Sequence, residues 1–227
     1  MMPFFIALQF LTTFPIQLKA MPSKQQNGQS LLFYPVVGLI IGGILALLAF
    51  TLQSLPIILL SSIILVVWIW LTGGLHLDGL ADTADAWVGG FGDAERTLKI
   101  MKDPACGPIG VLSLVIICLL KWSAIYVLLQ KQQFLALILF PILGRLAPLF
   151  LFLTTQYVRE KGLGSSLAEY IPRTWALVVF VLTLVYLRLK FIQRIDGVTG
   201  DTIGAAIEIS ELSSLIAFVI GLHYWVN

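Results

Sequence analysis

Pro56-Ile57-Ile58-Leu59-Leu60-Ser61-Ser62-Ile63-Ile64-Leu65-Val66-Val67-Trp68-Ile69-Trp70-Leu71-Thr72-Gly73-Gly74 runs without a single charged residue. An α-helix needs about 20 mostly apolar residues to cross a bilayer, so this stretch reads as a spanning helix. Four further segments have the same character, near 33–52, 107–129, 134–156 and 203–225. A sixth apolar run, 174–187, is shorter and ends at Arg188. At that length an interfacial or re-entrant segment competes with a full crossing. The short apolar stretch 3–16 has no basic residues before it and is interrupted by Pro15, so a helix lying in the interface is expected rather than a signal peptide. The expected fold is all-α: a polytopic membrane helix bundle of five to six spanning helices plus short interfacial or re-entrant ones. It forms one domain over 1–227, with the lipid bilayer as its partner.

The composition agrees. Of the 227 residues 59% are hydrophobic and 11% charged, and the mean hydropathy is +0.96. Soluble domains carry about 25% charged residues. An ordinary soluble protein, a disordered chain and a nucleic-acid binder are thereby excluded. The net charge of +2 says little about partners, and a homo-oligomer is left open. Cys106 and Cys118 have no metal or redox spacing. Lys and Arg set orientation. Residues 17–31, 75–106, 157–173 and 188–202 hold most of them, whereas 53–55 has none. These connections are expected in the cytoplasm, with 174–187 not crossing.

Immediately past the quoted run, Gly73-Gly74-Leu75-His76-Leu77-Asp78-Gly79-Leu80-Ala81-Asp82-Thr83-Ala84-Asp85 brings the first acidic residues of the chain. On a helix, positions i, i+4 and i+7 share a face, so Asp78, Asp82 and Asp85 form one stripe. Each carboxylate costs about 2.5–3.5 kcal/mol at a bilayer centre, and a divalent cation with oxygen ligands compensates that cost. The three are read as Mg²⁺ ligands and as catalytic residues. His76 lies beside them on another face.

A second polar patch, Gly197-Val198-Thr199-Gly200-Asp201-Thr202-Ile203-Gly204-Ala205-Ala206-Ile207-Glu208, opens the last apolar segment. Asp201 and Thr202 suit a helix start. Asp201 can act as a cap or complete a metal shell. Glu208, two turns on, is a further catalytic candidate. Gly204, Ala205 and Ala206 let a ligand or helix come close. Arg145 is the sole charge between 134 and 156, and its fork suits phosphate. With Lys99 and Lys102 it is a candidate for phosphate contact, and Asp103 lies on the same rim. His76, Thr202 and Gly204 complete the candidate substrate-binding set. Gly38 and Gly42 make a small-xxx-small pair for helix packing, and Pro141 and Pro148 flank Gly144-Arg145. Metal ligands and phosphate-holding bases together suit phosphoryl transfer.

The Gly73–Asp85 run closely resembles the signature of the cobalamin synthase family, the adenosylcobinamide-GDP ribazoletransferases. Phe10-Leu11-Thr12-Thr13-Phe14-Pro15, Tyr34-Pro35-Val36-Val37-Gly38, Ile100-Met101-Lys102-Asp103, Gly197 to Glu208, Arg145 and Glu160-Lys161-Gly162-Leu163-Gly164 fit the same family in order. The family usually has Arg where Thr13 and Ala105 stand, and is longer between Arg173 and Gly197. The resemblance implies a multi-pass enzyme of the cell inner membrane, its site facing the cytoplasm, acting late in cobalamin biosynthesis. It would join adenosylcobinamide-GDP to α-ribazole or its 5′-phosphate, release GMP and use Mg²⁺. Two alternatives differ in class. A CDP-alcohol phosphotransferase has a related Asp-Gly-x-x-Ala start but expects Arg where Asp82 follows Ala81. An ion-coupled transporter often shows related halves, and no internal repeat is present here.

Overall fold

A computed structural model describes residues 2–18, 20–158 and 181–225. Its elements are α1 (Met2–Leu11), α2 (Lys24–Ser30) with a 3₁₀ turn Leu31–Phe33, α3 (Tyr34–Thr51), α4 (Ile57–Thr72), α5 (Leu75–Gly89), α6 (Ala94–Ile100), α7 (Pro108–Gln130), α8 (Ala136–Thr154), α9 (Val181–Ile195) and α10 (Gly200–Trp225). Among the described residues there is no strand, only one isolated parallel bridge between Tyr157 and Val198. The polytopic all-helical bundle read from the sequence is the fold.

Length and composition mark three helices as able to cross a membrane: Lys24–Thr51, α7 and α8. The pair α4–α5 makes a fourth if counted as one broken span. α10 has the length for a crossing, 26 residues, but holds Glu208 and Glu211. The outward faces are apolar, with Leu47, Val66, Trp70 and Leu119 all more than half exposed. A helix that is apolar on every side belongs in lipid or a large core. α1, ten residues long, is too short to cross, as its sequence indicated.

The α3–α8 contact rests on missing side chains. A Cβ on Gly38 would lie 2.5 Å from the carbonyl oxygen of Pro141, and one on Gly42 would lie 2.6 Å from Cα of Ile138. The two backbones touch there, the geometry that small-xxx-small pairs permit. Around this contact Val37, Ile41 and Leu45 of α3, Ile64 and Trp68 of α4, Ile125 and Leu128 of α7, Phe140 and Leu151 of α8, and Ile207 of α10 form the core. α8 runs helically through both Pro141 and Pro148.

α4 and α5 meet at 87°. The turn is made by Gly73 and Gly74, at φ 61° and 70°, a left-handed conformation that glycine adopts without Cβ strain. The segment after α1 clamps this elbow: the Thr13 N–H donates to Leu71 O at 2.9 Å and its hydroxyl to Trp70 O at 3.1 Å. The carbonyls that end α4 are satisfied in this way. The elbow also explains why the acidic run does not continue the α4 span but turns across the bundle.

The region 188–202 is not the basic loop that the charge pattern suggested. Arg188, Lys190 and Arg194 lie in α9, and only 196–199 connects α9 to α10. Counting apolar length misses an amphipathic helix, whose charges interleave with a buried side. Phe191 and Ile195 are buried, whereas Lys190 is exposed. The bases act on helix ends: Arg188 donates to Thr154 O at 3.0 and 2.8 Å at the end of α8, and Arg194 donates to Trp87 O at the end of α5. Cations at helix C-termini complement the dipole. Of the 174–187 segment read as non-crossing, 174–180 lie outside the described residues, as do Arg159, Arg173 and Glu160-Lys161-Gly162-Leu163-Gly164, while 181–187 open α9.

Candidate active site

α5 presents three different faces. Gly79 and His76 meet α10: a Cβ on Gly79 would lie 2.8 Å from the carbonyl oxygen of Asp201, and one on Gly204 would lie 3.2 Å from that of His76. As the chain descends α5 it ascends α10, so the two helices cross antiparallel, backbone on backbone. The start of α10 therefore abuts the aspartate helix. Gly204 is spent on this crossing and is buried. Its smallness serves helix packing, not a ligand channel.

The second face meets α7. Asp85 accepts hydrogen bonds from the Gly107 N–H at 2.7 Å and the Gly110 N–H at 2.8 Å. These amides open α7, whose own N-cap, Gly107, has no side chain to satisfy them. A carboxylate at a helix N-terminus is also favoured by the dipole. Both glycines are needed for the fit, since a Cβ on Gly107 would lie 2.6 Å from Asp85 Oδ1.

The third face is open. Asp78 is exposed and Asp82 half-buried. Of the stripe, Asp78 and Asp82 stand one turn apart on this side while Asp85 is committed to α7. Among the described residues no three His, Cys, Asp or Glu side chains converge as a metal cluster.

The start of α10 is capped by Thr199 rather than Asp201. The Thr199 hydroxyl accepts from the Thr202 N–H at 3.2 Å, and the Thr202 hydroxyl accepts from the Thr199 N–H at 2.8 Å. This reciprocal pair resembles a capping box with Thr in the acceptor position. Thr202 is thus a buried capping residue, and Asp201, half-buried, lies in the first turn within reach of the Thr199 hydroxyl at 3.3 Å. Thr199 also donates to the Met101 sulfur at 3.5 Å, which ties the Ile100–Asp103 motif to the head of α10.

Lys99, Lys102 and Asp103 are exposed. They line a surface groove of about 650 Å³ together with Asp93, Glu95, Arg96 and Ile100. The 101–107 segment joins this groove to Asp85.

Deeper in the bundle lies a cluster that the sequence reading divided or missed. Lys121 of α7 donates to Glu208 at 2.5 Å and to Glu211 at 2.6 Å, both on α10, and Arg145 of α8 donates to Glu211. All four are buried, with Arg145 and Glu211 at 0% exposure. The Lys121 ammonium also sits 4.6 Å from the ring centre of Trp68 on α4. The residue approached over Gly144 is Glu211, whose side chain fills the space that a Cβ would need. Arg145 is therefore inside the bundle rather than at a phosphate-facing rim, and Glu208 is a paired carboxylate. His76 is 3% exposed, and neither ring nitrogen has a hydrogen-bond partner among the described residues. Lys121 and Glu211 were legible: Lys121 is the one charge within α7, and Glu211 follows Glu208 by one turn. An ionisable residue within a span is a functional candidate by default.

The chain matches the family model described as cobalamin-5-phosphate synthase over residues 3–219. It belongs to that family. A relative from Acinetobacter baumannii (strain ATCC 17978), named adenosylcobinamide-GDP ribazoletransferase, is 60% identical over the full length of both chains. Relatives of the same name from Pseudomonas fluorescens (strain Pf0-1) and Stutzerimonas stutzeri (strain A1501) are each 48% identical, covering 97% of this chain and 100% and 98% of their own. The first alignment runs over 247 residues against 227 here, so that relative has insertions relative to this chain. No solved structure matches.

Proposed function

We infer that this chain is a membrane-bound adenosylcobinamide-GDP ribazoletransferase. The observation that carries this is the 60% identity to a relative of that name, in an alignment that spans both chains from end to end. In this reading a hydroxyl of α-ribazole, or of its 5′-phosphate, attacks the phosphorus next to adenosylcobinamide. A new P–O bond forms, the bond to the GMP oxygen breaks, and GMP leaves with that electron pair.

Magnesium fits the open face of α5. This ion is commonly held by one or two carboxylates together with substrate phosphate oxygens rather than by a closed protein cage. Asp78 and Asp82 form such a donor pair and are the residues that would hold it, and the backbone of Asp201, at the head of α10, packs on Gly79 of the same helix. Asp85 instead holds α7 against α5. When bound, the ion would neutralise charge on the phosphate oxygens. Lys99 and Lys102 attract the phosphates from the adjoining groove, and Asp201 accepts the proton of the attacking hydroxyl. Glu208, buried against Lys121, takes no part in the proton transfer. The site opens to the cytoplasm and the membrane is the cell inner membrane, a reading supported by the basic residues at this end.

The test is GMP release by membranes containing the chain, supplied with adenosylcobinamide-GDP and α-ribazole. GMP should appear in step with the cobalamin product, stop with a chelator and resume with Mg²⁺. No GMP with both substrates and Mg²⁺ present refutes the activity; release undiminished by the chelator refutes the metal.

A further inference from the structure

Two acids and two bases buried in one place need a reason. Lys121, Arg145, Glu208 and Glu211 balance in charge, and each base comes from a different helix while both acids come from α10. Apolar residues fill such a space at least as stably, because desolvation offsets most of the attraction. What a buried ion pair adds is intolerance of misplacement: one partner left uncompensated costs about 3–5 kcal/mol. A slide of α10 by one residue displaces it by about 1.5 Å and turns its side chains by about 100°. Either motion separates both acids from their bases. Asp201, Gly204, Glu208 and Glu211 follow one another along one side of α10, and Glu208 lies about 10.5 Å below Asp201.

We propose that the Lys121–Glu208–Glu211–Arg145 quartet is the positioning device of the active site: it sets the depth and rotation of α10 and thereby holds the backbone of Asp201 against Gly79, on the helix that bears Asp78 and Asp82. Three observations agree. The quartet joins α7 and α8 to α10, and the Trp68 ring brings in α4. The α5–α10 crossing has no side chain on Gly79 or Gly204 to key the two helices, and the small apolar cluster beside it, Leu80 with Ala205 and with Ile117 of α7, makes non-directional contacts that specify rotation weakly. Finally, α7 is itself fixed to the aspartate helix by Asp85, so a lock between α7 and α10 refers Asp201 to the same helix that bears Asp78 and Asp82. None of the four touches substrate in this scheme. The proposal rests on the reading of Asp201 as an active-site residue.

The test uses the full chain in detergent, with Cys106→Ser and Cys118→Ala as background. Spin labels go on Val88→Cys, exposed near the end of α5, and on Gly200→Cys, where a side chain meets nothing within 4 Å. Lys121→Met should broaden or shift the distance distribution between the labels. In the unlabelled protein it should lower kcat at least about tenfold while KM for adenosylcobinamide-GDP changes less than about twofold. Lys121→Met with Glu208→Gln, which restores charge balance, should recover both readouts. Should Lys121→Met not accumulate, Glu208→Gln gives the same comparison. The proposal is overturned if kcat falls with label distances unchanged, if the double variant is no better than the single, or if the single variant matches wild type. Full turnover of Asp201→Ala would overturn the role given to Asp201 above, whereas the label distances judge the quartet independently of it.

Discussion

Gly79→Ala probes the α5–α10 crossing with one methyl group. The new Cβ would stand 2.8 Å from the Asp201 carbonyl oxygen and 2.9 Å from its Cα. Unstrained heavy-atom contacts lie near 3.5–4.0 Å, so the helices must part by roughly 0.5–1 Å. The neighbour is backbone, which cannot swing aside as a side chain can. Overpacking of this kind costs about 1–3 kcal/mol, against about 0.5–1 kcal/mol gained by replacing a helical glycine with alanine. Turnover suffers more than stability, because about 1 Å of misplacement near reacting groups costs on the order of 10²-fold. A displacement of half to all of that distance is expected to lower kcat about 10- to 100-fold, with Asp201 moved relative to Asp78 and Asp82. Gly43→Ala is the control, since a Cβ there meets nothing within 4 Å. It should raise stability slightly and leave turnover unchanged. The assay is GMP release paired with thermal unfolding in detergent. If Gly79→Ala matches Gly43→Ala in both, the close crossing does not position the site and the reasoning fails.

The two exposures within the aspartate stripe separate function from stability. Asp78→Asn should cut turnover by orders of magnitude and leave the melting temperature unchanged, whereas Asp85→Ala, which strips two amides of their acceptor, should cost about 1–3 kcal/mol in unfolding measurements. Equal effects of the two on stability would contradict this division. Thr199→Ala should destabilise by about 1 kcal/mol through loss of the α10 cap, and Thr199→Ser should restore it; Asp201→Ser should show no such capping pattern in the same melts. Single cysteines at Asp93 and Asp196, both exposed, should react with an impermeant reagent from the same side of the membrane, because Arg194 of α9 bonds the end of α5 and Thr97 of α6. Labelling from opposite sides would overturn the cytoplasmic reading of this end.

Much of the candidate site was legible in the sequence because its signals are local. The i, i+4, i+7 aspartates need only helix periodicity, whereas the elbow at Gly73-Gly74 emerged only from the structure. Arg145, alone in an apolar run, announces a buried partner without saying which one. Asp85 could not be told from Asp78 and Asp82 by spacing: its separate role depends on Gly107 and Gly110 arriving from more than twenty residues away. Similarly, Asp201 and Thr202 suit the start of α10 by residue type, and the backbone geometry made Thr199 the cap.

The sequence by itself determined the membrane bundle, since several apolar runs of spanning length in a chain of 227 residues carry more apolar surface than one small soluble core buries, and it determined the family through motifs spread along the chain. Tertiary structure alone decided which charges are available to substrate and which are consumed in holding helices. Arg145, Glu208 and Asp85 have the residue types of catalysis, yet Arg145 faces Glu211, Glu208 faces Lys121, and Asp85 faces the amides of α7. The reason is physical. A charge in a low-dielectric interior is settled by whatever opposite charge or N–H the fold brings within about 3 Å, and that partner lies on another helix, where periodicity along one segment cannot reach.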